Sequence, residues 1–151
     1  MTDDTLFSAI ISETISHIGI SNPSSGKIYK YLINKGYDSG LVSDVVSELI
    51  SRGYIDDRRA SRSVLLLRTG KKRESRLLSL QRLINAGVSE DVAESVISDM
   101  PSDEELISEL FDSSLPYGFD INDETMRNSA LKLAKQRGFT FELAQKELKN
   151  R

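Results

Sequence analysis

LINKGYDSGLVSDVV (residues 32–46) is the stretch that decides the fold of this 151-residue chain, because its pattern returns twice. LINAGVSEDVAESVI (83–97) and AKQRGFTFELAQKEL (134–148) follow at intervals of 51 residues, with a glycine at the same place in each copy. The matching positions are Gly36, Gly87 and Gly138; Leu32, Leu83 and Ala134; Leu41, Val92 and Leu143; Val42, Ala93 and Ala144; Val46, Ile97 and Leu148. A core pattern that repeats at a fixed period is typical of tandem-repeat proteins.

Apolar residues recur at spacings of three and four along nearly the whole chain, and no run alternates with a period of two. This periodicity predicts an all-α protein. Nine helices are expected, at residues 5–18, 24–35, 39–52, 57–68, 73–86, 89–100, 103–112, 124–137 and 140–149.

The predicted helix ends have chemical reasons. A glycine just beyond an apolar segment can end a helix in the left-handed conformation without a side-chain penalty, which is the role expected of Gly36, Gly53, Gly70, Gly87 and Gly138. The expected N-caps are Ser24, Ser89, Thr140 and Ser102, the last in a capping box with Glu105.

Each copy of the pattern is expected to hold three helices, the last two paired across the glycine. The predicted repeats are residues 1–54, 55–101 and 102–151. The second carries a basic face, and the third has an acidic first helix and a loop at 112–123. Because stacked repeats contact mainly their neighbours, the expected fold is an elongated array that offers a long surface to a large partner.

The composition excludes several kinds of site. The chain has no cysteine and one histidine, His17, which excludes thiolate metal sites and a histidine-based metal centre. The lack of cysteine fits a reducing cytoplasm, the N-terminus MTDD is acidic where a secretory signal is basic, and the longest strongly apolar run is 64–67. We therefore expect a cytoplasmic protein with no membrane span, metal or cofactor, and the lack of a coiled-coil seam favours a monomer.

The net charge of −3 hides a strong segregation of charge. Residues 1–51 carry −3, residues 52–82 carry +7, residues 83–126 carry −12 and residues 127–151 carry +5. A basic centre beside an acidic stretch attracts a charged partner in one place and repels polyanions in another. A uniformly basic nucleic-acid-binding surface is therefore not expected.

No group of residues forms a catalytic constellation. Gly26-Lys27 and Gly70-Lys71 lack the earlier glycine, the following Ser or Thr and the preceding strand of a phosphate-binding loop. Asp56-Asp57 are adjacent carboxylates at a helix start, where turn and N-cap roles are expected. Glu13 and His17 lie one helical turn apart without a nucleophile or a third ligand. The chain is therefore predicted not to be an enzyme.

The feature with functional content is a basic tract. Its first three arginines lie on one side of a helix that starts near Asp57, whereas Ala60, Val64 and Leu67 lie on the core-facing side, so the arginines are expected to be exposed. An anionic partner, either DNA phosphates or an acidic protein groove, would relieve the repulsion within the tract; the alternative is a solvated face paired with the acidic stretch at 83–126. The predicted partner-binding residues are Arg58, Arg59, Arg62, Arg68, Lys71, Lys72, Arg73 and Arg76.

The acidic residues from 103 to 112 also allow two interpretations. They can form an amphipathic helix with a favourable acidic start, or they can dock onto a basic patch of a partner. The first is favoured because acidic helix starts are common.

At this point several motifs resemble the RecX family of regulatory proteins. GYIDDRRA at 53–60, followed by Gly70, residues 73–83 and Ala86-Gly87-Val88, looks like the central RecX repeat. RGFTF at 137–141 is similar to the closing repeat, and residues 24–37 match the first. The resemblance covers about residues 20–100 and 127–149.

The resemblance implies a bacterial, cytoplasmic, non-enzymatic modulator of the RecA recombinase, built from tandem three-helix repeats. RecX proteins bind in the helical groove of the RecA filament on DNA and bridge neighbouring protomers, which typically inhibits recombinase, ATP hydrolysis and co-protease activities. On this basis the expected partner is the RecA filament, and the basic tract contacts RecA or the filament-bound DNA.

The competing hypothesis is a DNA-binding regulator that uses its helix pairs as helix-turn-helix readers and acts without RecA. It predicts strong duplex binding that weakens steeply as salt is added. The stretch of −12 at residues 83–126 argues against it.

Overall fold

The computed structural model describes residues 3–151, and within them the chain is all-α, as predicted. Each α-helix lies within three residues of its predicted bounds, and a short 3₁₀ helix at Gly70–Lys72 is additional. The helices are α1 Asp3–Ile18, α2 Ser25–Asn34, α3 Ser39–Ser51, α4 Asp57–Leu65, α5 Arg76–Asn85, α6 Glu90–Ser98, α7 Asp103–Ser114, α8 Glu124–Gln136 and α9 Phe141–Lys149. In this part of the chain no helix is both long and apolar enough to cross a membrane.

Within the basic tract, the predicted end of the helix over 57–68 is wrong. Helix α4 ends at Leu65, and Leu67, predicted to face the core, is 73% exposed. Gly70 has a φ of +58°, and its backbone N–H donates to the Glu109 carboxylate at 2.7 Å. Beyond α4 the chain is therefore held by a residue 39 positions away, a contact that local periodicity cannot predict.

Several helix ends follow the predicted chemistry. The hydroxyls of Ser24, Ser102 and Thr140 each accept the backbone N–H three residues later, at 3.2, 3.3 and 3.2 Å. The three glycines of the 51-residue pattern have φ values of 94°, 88° and 85°, a region that L side chains rarely adopt. The three helix–glycine–helix turns therefore share a positive φ at the glycine.

The chain divides into two compact units. Unit 1 holds the residues up to Val64 and Leu83–Val96, and unit 2 holds Leu65–Arg82 and Ile97–Arg151. The largest buried cluster of unit 1 includes Ile10, Ile28, Leu32, Val42, Val45, Leu49 and Ile55. That of unit 2 includes Leu106, Ile107, Leu110, Phe111, Ala134, Phe139, Ala144 and Leu148.

Burial follows the 51-residue period. Two sets of residues spaced by 51 are at most 1% exposed: Leu32, Leu83 and Ala134, and Val42, Ala93 and Ala144. The sequence pattern predicts that these positions form the core, and their burial confirms it.

Candidate partner-binding surface

A single carboxylate joins three helix starts in unit 1. Asp57, the first residue of α4, accepts hydrogen bonds from Ser25 N (2.7 Å) and Ser25 Oγ (2.6 Å) at the start of α2, and from Ser89 N (2.9 Å) just before α6. The neighbouring Asp56 accepts two backbone N–H groups of α4 at 2.9 and 3.1 Å, and chiefly the bond from Arg59 holds its pKa below the usual range. Asp56 therefore caps the start of α4, as expected, whereas Asp57 bonds the starts of two other helices, a contact that the sequence does not predict.

Two glycines meet at the same junction. The N–H of Gly26 donates to the Gly87 carbonyl at 2.9 Å, and a Cβ at Gly26 would lie 2.6 Å from that oxygen. Ser24 donates its hydroxyl to the Ala86 carbonyl at 2.6 Å. Gly26 is thus needed because two backbones approach closely, which gives the Gly26-Lys27 pair a packing explanation.

Unit 2 holds an equivalent junction that the predicted motifs do not include. Ser75 lies 51 residues after Ser24 and, like Ser24, accepts the backbone N–H three residues later. Its own N–H donates to the Arg137 carbonyl at 2.9 Å, and the Arg76 N–H donates to Asp103 Oδ1 at 2.9 Å. In each unit a helix start therefore contacts a helix–glycine turn and one carboxylate. The spacing of the two serines is the sequence signal that locates this junction.

The first part of the basic tract lies on α4 in unit 1. Arg58 is exposed, and its guanidinium donates to Ser95 Oγ. Arg59 is half-buried rather than exposed as predicted, because its guanidinium turns back to the Gly53 carbonyl, at 3.1 Å. Arg62 is exposed, and within residues 3–151 its side chain makes no hydrogen bond or ion pair. Arg62 is thus available to a partner.

Two arginines of the tract make internal contacts in unit 2. Arg73 Nε donates to Glu109 Oε2 at 2.9 Å, and this guanidinium holds the pKa of the Glu109 carboxyl below its usual range. The Arg76 guanidinium donates to the carbonyls of Pro101 (3.0 Å) and Ser98 (3.2 Å). For Arg73 the structure therefore realises the alternative in which the acidic stretch neutralises the tract.

Glu74, the single acidic residue within the tract, does not neutralise any of the eight predicted cations through a side-chain contact. Its buried carboxylate accepts two hydrogen bonds from the Arg82 guanidinium, both at 2.8 Å. This bidentate pair raises the pKa of Arg82 above its usual value. Glu74 is therefore occupied inside unit 2.

The remaining cations of the tract lie in residues 66–72 of unit 2, which we call the 66–72 segment. Arg68 is half-buried and Lys71 and Lys72 are exposed. Within the described chain none of these three side chains makes a hydrogen bond or ion pair. Leu66 and Leu67, in the same segment, are 70% and 73% exposed. The segment thus combines unpaired positive charge with exposed apolar area.

The acidic residues from 103 to 112 lie on α7, which is amphipathic as predicted. Leu106, Leu110 and Phe111 are buried, whereas Glu104 and Glu105 in its first turn are exposed. Carboxylates of α7, together with Glu147 of α9, line an open groove of about 530 Å³ in unit 2.

The chain has no match among models of known protein families, and no curated protein matches it significantly. The resemblance to RecX proteins consequently depends on the motifs within residues 24–37, 53–88 and 137–141 and on the 51-residue period.

Proposed function

We propose that this protein is a cytoplasmic, non-enzymatic regulator of the RecX type that binds the RecA–DNA filament and inhibits recombinase, ATPase and co-protease activities of RecA. The proposal includes the elongated array of three three-helix repeats, residues 1–54, 55–101 and 102–151. The observation that carries it is the polar junction found once in each unit.

The two junctions involve corresponding helices, each pair three helices apart along the chain. In unit 1 the start of α2 contacts the turn before α6 and the first residue of α4. In unit 2 the start of α5 contacts the turn before α9 and the first residue of α7. Each element of the second contact is the third helix after its counterpart in the first. A contact that recurs between successive copies is what a tandem array requires, and it favours a protein that acts by covering an extended partner.

The electrostatic contribution is assigned to the unpaired cations of the tract. The side chains of Arg62, Arg68, Lys71 and Lys72 make no hydrogen bond or ion pair within residues 3–151, so they can form charge-assisted hydrogen bonds with carboxylates or phosphates of a filament. Arg73 and Arg76 contribute indirectly, because their guanidinium groups are bonded inside unit 2.

The test is single-stranded-DNA-dependent ATP hydrolysis by RecA, measured with increasing amounts of this protein and paired with co-sedimentation of the filament. We expect dose-dependent inhibition and co-sedimentation. The variant R62Q/R68Q/K71Q/K72Q is expected to lose at least tenfold in filament affinity. Its matched control is K132Q/K135Q/K146Q/K149Q, which removes four exposed charges from α8 and α9 and is expected to bind within twofold of the wild type. Absence of both inhibition and co-sedimentation would refute the proposed function.

A binding measurement on duplex DNA, with this protein and without RecA, distinguishes the DNA-binding alternative from the proposed function. The four unpaired cations could contact phosphates, and duplex binding through Z of them would give a slope of log K against log salt of about −0.9Z. Strong duplex binding with such a slope, together with no effect on RecA, would favour the alternative.

A further inference from the structure

The 66–72 segment exposes two leucines, Leu66 and Leu67, of which Leu67 is predicted from the sequence to face the core. Leu66 and Leu67 are consecutive and 70% and 73% exposed, and they follow the last residue of α4. Single exposed leucines are common on protein surfaces. Two adjacent ones beside three unpaired cations form a mixed surface that binding would bury favourably.

Within this segment only Gly70–Lys72 is helical, as one 3₁₀ turn, and several hydrogen bonds hold it. The Glu109 carboxylate accepts the Gly70 N–H at 2.7 Å and Arg73 Nε at 2.9 Å. Arg137 Nε donates to the Lys71 carbonyl at 3.0 Å, and the Lys72 N–H closes the turn on the Thr69 carbonyl at 3.0 Å. The backbone at residues 70–72 is thus fixed by contacts within unit 2, and the Arg68 N–H donates to the Leu65 carbonyl at 3.0 Å beside the two leucines. The side chains of Leu66, Leu67, Lys71 and Lys72 are exposed to solvent. A segment ordered before binding loses less conformational entropy on binding.

The chemistry of the segment restricts its partner. A phosphodiester backbone would satisfy the cations and leave the leucines in water, because phosphates present charge and little apolar area. A protein surface with an apolar depression and carboxylates at its rim would satisfy both, since the depression buries the leucines and the carboxylates pair with the cations.

We propose that the 66–72 segment is a preformed docking element that places Leu66 and Leu67 in an apolar depression of a protein partner, with Arg68, Lys71 and Lys72 against carboxylates at its rim. The inference rests on the proposed function for the identity of the partner, which is a protomer of the RecA filament. The contact is therefore with the protein of the filament rather than with its DNA.

The test is co-sedimentation with RecA filaments formed on single-stranded DNA, using three variants of the full chain. L66S/L67S removes the apolar group, and R68Q/K71Q/K72Q removes the charges. L77S is the matched control, because Leu77 is an exposed leucine (62%) of the same unit that lies on α5. We expect at least a tenfold loss of affinity for each of the first two variants and a change below twofold for the control. Circular dichroism and thermal unfolding check that all three variants remain folded.

The outcomes separate this inference from the proposed function. If the wild-type protein does not sediment with filaments, the proposed function fails and the inference fails with it. If the wild type binds and L66S/L67S binds equally well, the docking element is refuted while the function stands. Binding to phosphatidylglycerol vesicles, or self-association in sedimentation velocity, that is lost in L66S/L67S while filament binding is kept would also overturn the assigned partner.

Discussion

For Gly26→Ala, helix propensity predicts a gain in the free energy of unfolding, whereas packing predicts a loss. Gly26 is the second residue of α2, and alanine in a helix is favoured over glycine by up to about 1 kcal/mol. The added Cβ would lie 2.6 Å from the Gly87 carbonyl oxygen and 2.9 Å from the Gly87 Cα. These are backbone atoms, which cannot rotate away as the end of a side chain can. The substitution must therefore push two backbone segments apart.

The magnitude follows from three contributions. Separation of the segments loses the hydrogen bond from Gly26 N to the Gly87 carbonyl, which contributes about 1 kcal/mol. Overpacking costs about 1–3 kcal/mol, and the gain in helix propensity offsets up to about 1 kcal/mol. The expected loss in the free energy of unfolding is therefore about 1–4 kcal/mol.

Urea denaturation followed by circular dichroism measures this loss as a lower midpoint with an unchanged m-value. The matched control is Gly40→Ala, at the second position of α3, where the nearest atom to the new Cβ is Asp38 Oδ2 at 3.1 Å. This oxygen caps α3 by accepting the N–H groups of Gly40 and Leu41, and it lies at the end of a side chain that can shift by a few tenths of an ångström while it keeps the cap. We expect the control to change the free energy of unfolding by less than about 0.5 kcal/mol. A Gly26→Ala protein at least as stable as the wild type would refute the argument from close backbone contact.

Two further predictions concern carboxylates. Asp57→Asn is expected to lower the free energy of unfolding by about 2–3 kcal/mol in urea denaturation, because an amide NH₂ would face N–H donors whose hydrogen bonds the carboxylate now accepts. Asp56→Asn keeps an oxygen that can cap α4 and is expected to lower it by less than about 1 kcal/mol. Equal losses in the two variants would contradict the role of Asp57. Stability is also expected to fall as the pH drops through the lowered pKa of Glu109, because a depressed folded-state pKa contributes stability that is fully present above the unfolded value near 4.5. Glu109→Gln should flatten this acid limb, and an unchanged pH profile would argue against the pair with Arg73.

The helices could be predicted because their causes are local. Apolar residues at three- and four-residue spacings mark the buried face of each helix, and Ser24 and Thr140 cap helices through N–H groups three residues away. The end of α4 could not be predicted in this way. The Gly70 N–H is bound by Glu109, and a contact across 39 positions leaves no trace in local periodicity.

The sequence locates the cations of the candidate surface, but it does not show which of them are free to bind a partner. The carbonyls that bind the Arg76 guanidinium lie 22 to 25 positions along the chain, and the carboxylate that binds Arg73 lies 36 positions away. Nothing in the local sequence distinguishes these two paired arginines from Lys71 and Lys72, whose side chains are unpaired within residues 3–151. Pairing in space is therefore what separates structural cations from those that a partner can bind.

The acidic stretch and the basic tract are linked through Glu109. Glu109 neutralises one cation of the tract, Arg73, and at the same time fixes the backbone at Gly70, so the same carboxylate also orders the tract. Full pairing of the tract would leave little charge for a partner, and an unanchored tract would lose more entropy on binding. The arrangement in unit 2 avoids both, since Lys71 and Lys72 stay unpaired on an anchored backbone. The net charge of −3 therefore does not argue against an anionic partner, because an interaction between exposed charges depends on the groups within about a Debye length, and Lys71 and Lys72 are exposed and unpaired in the described chain.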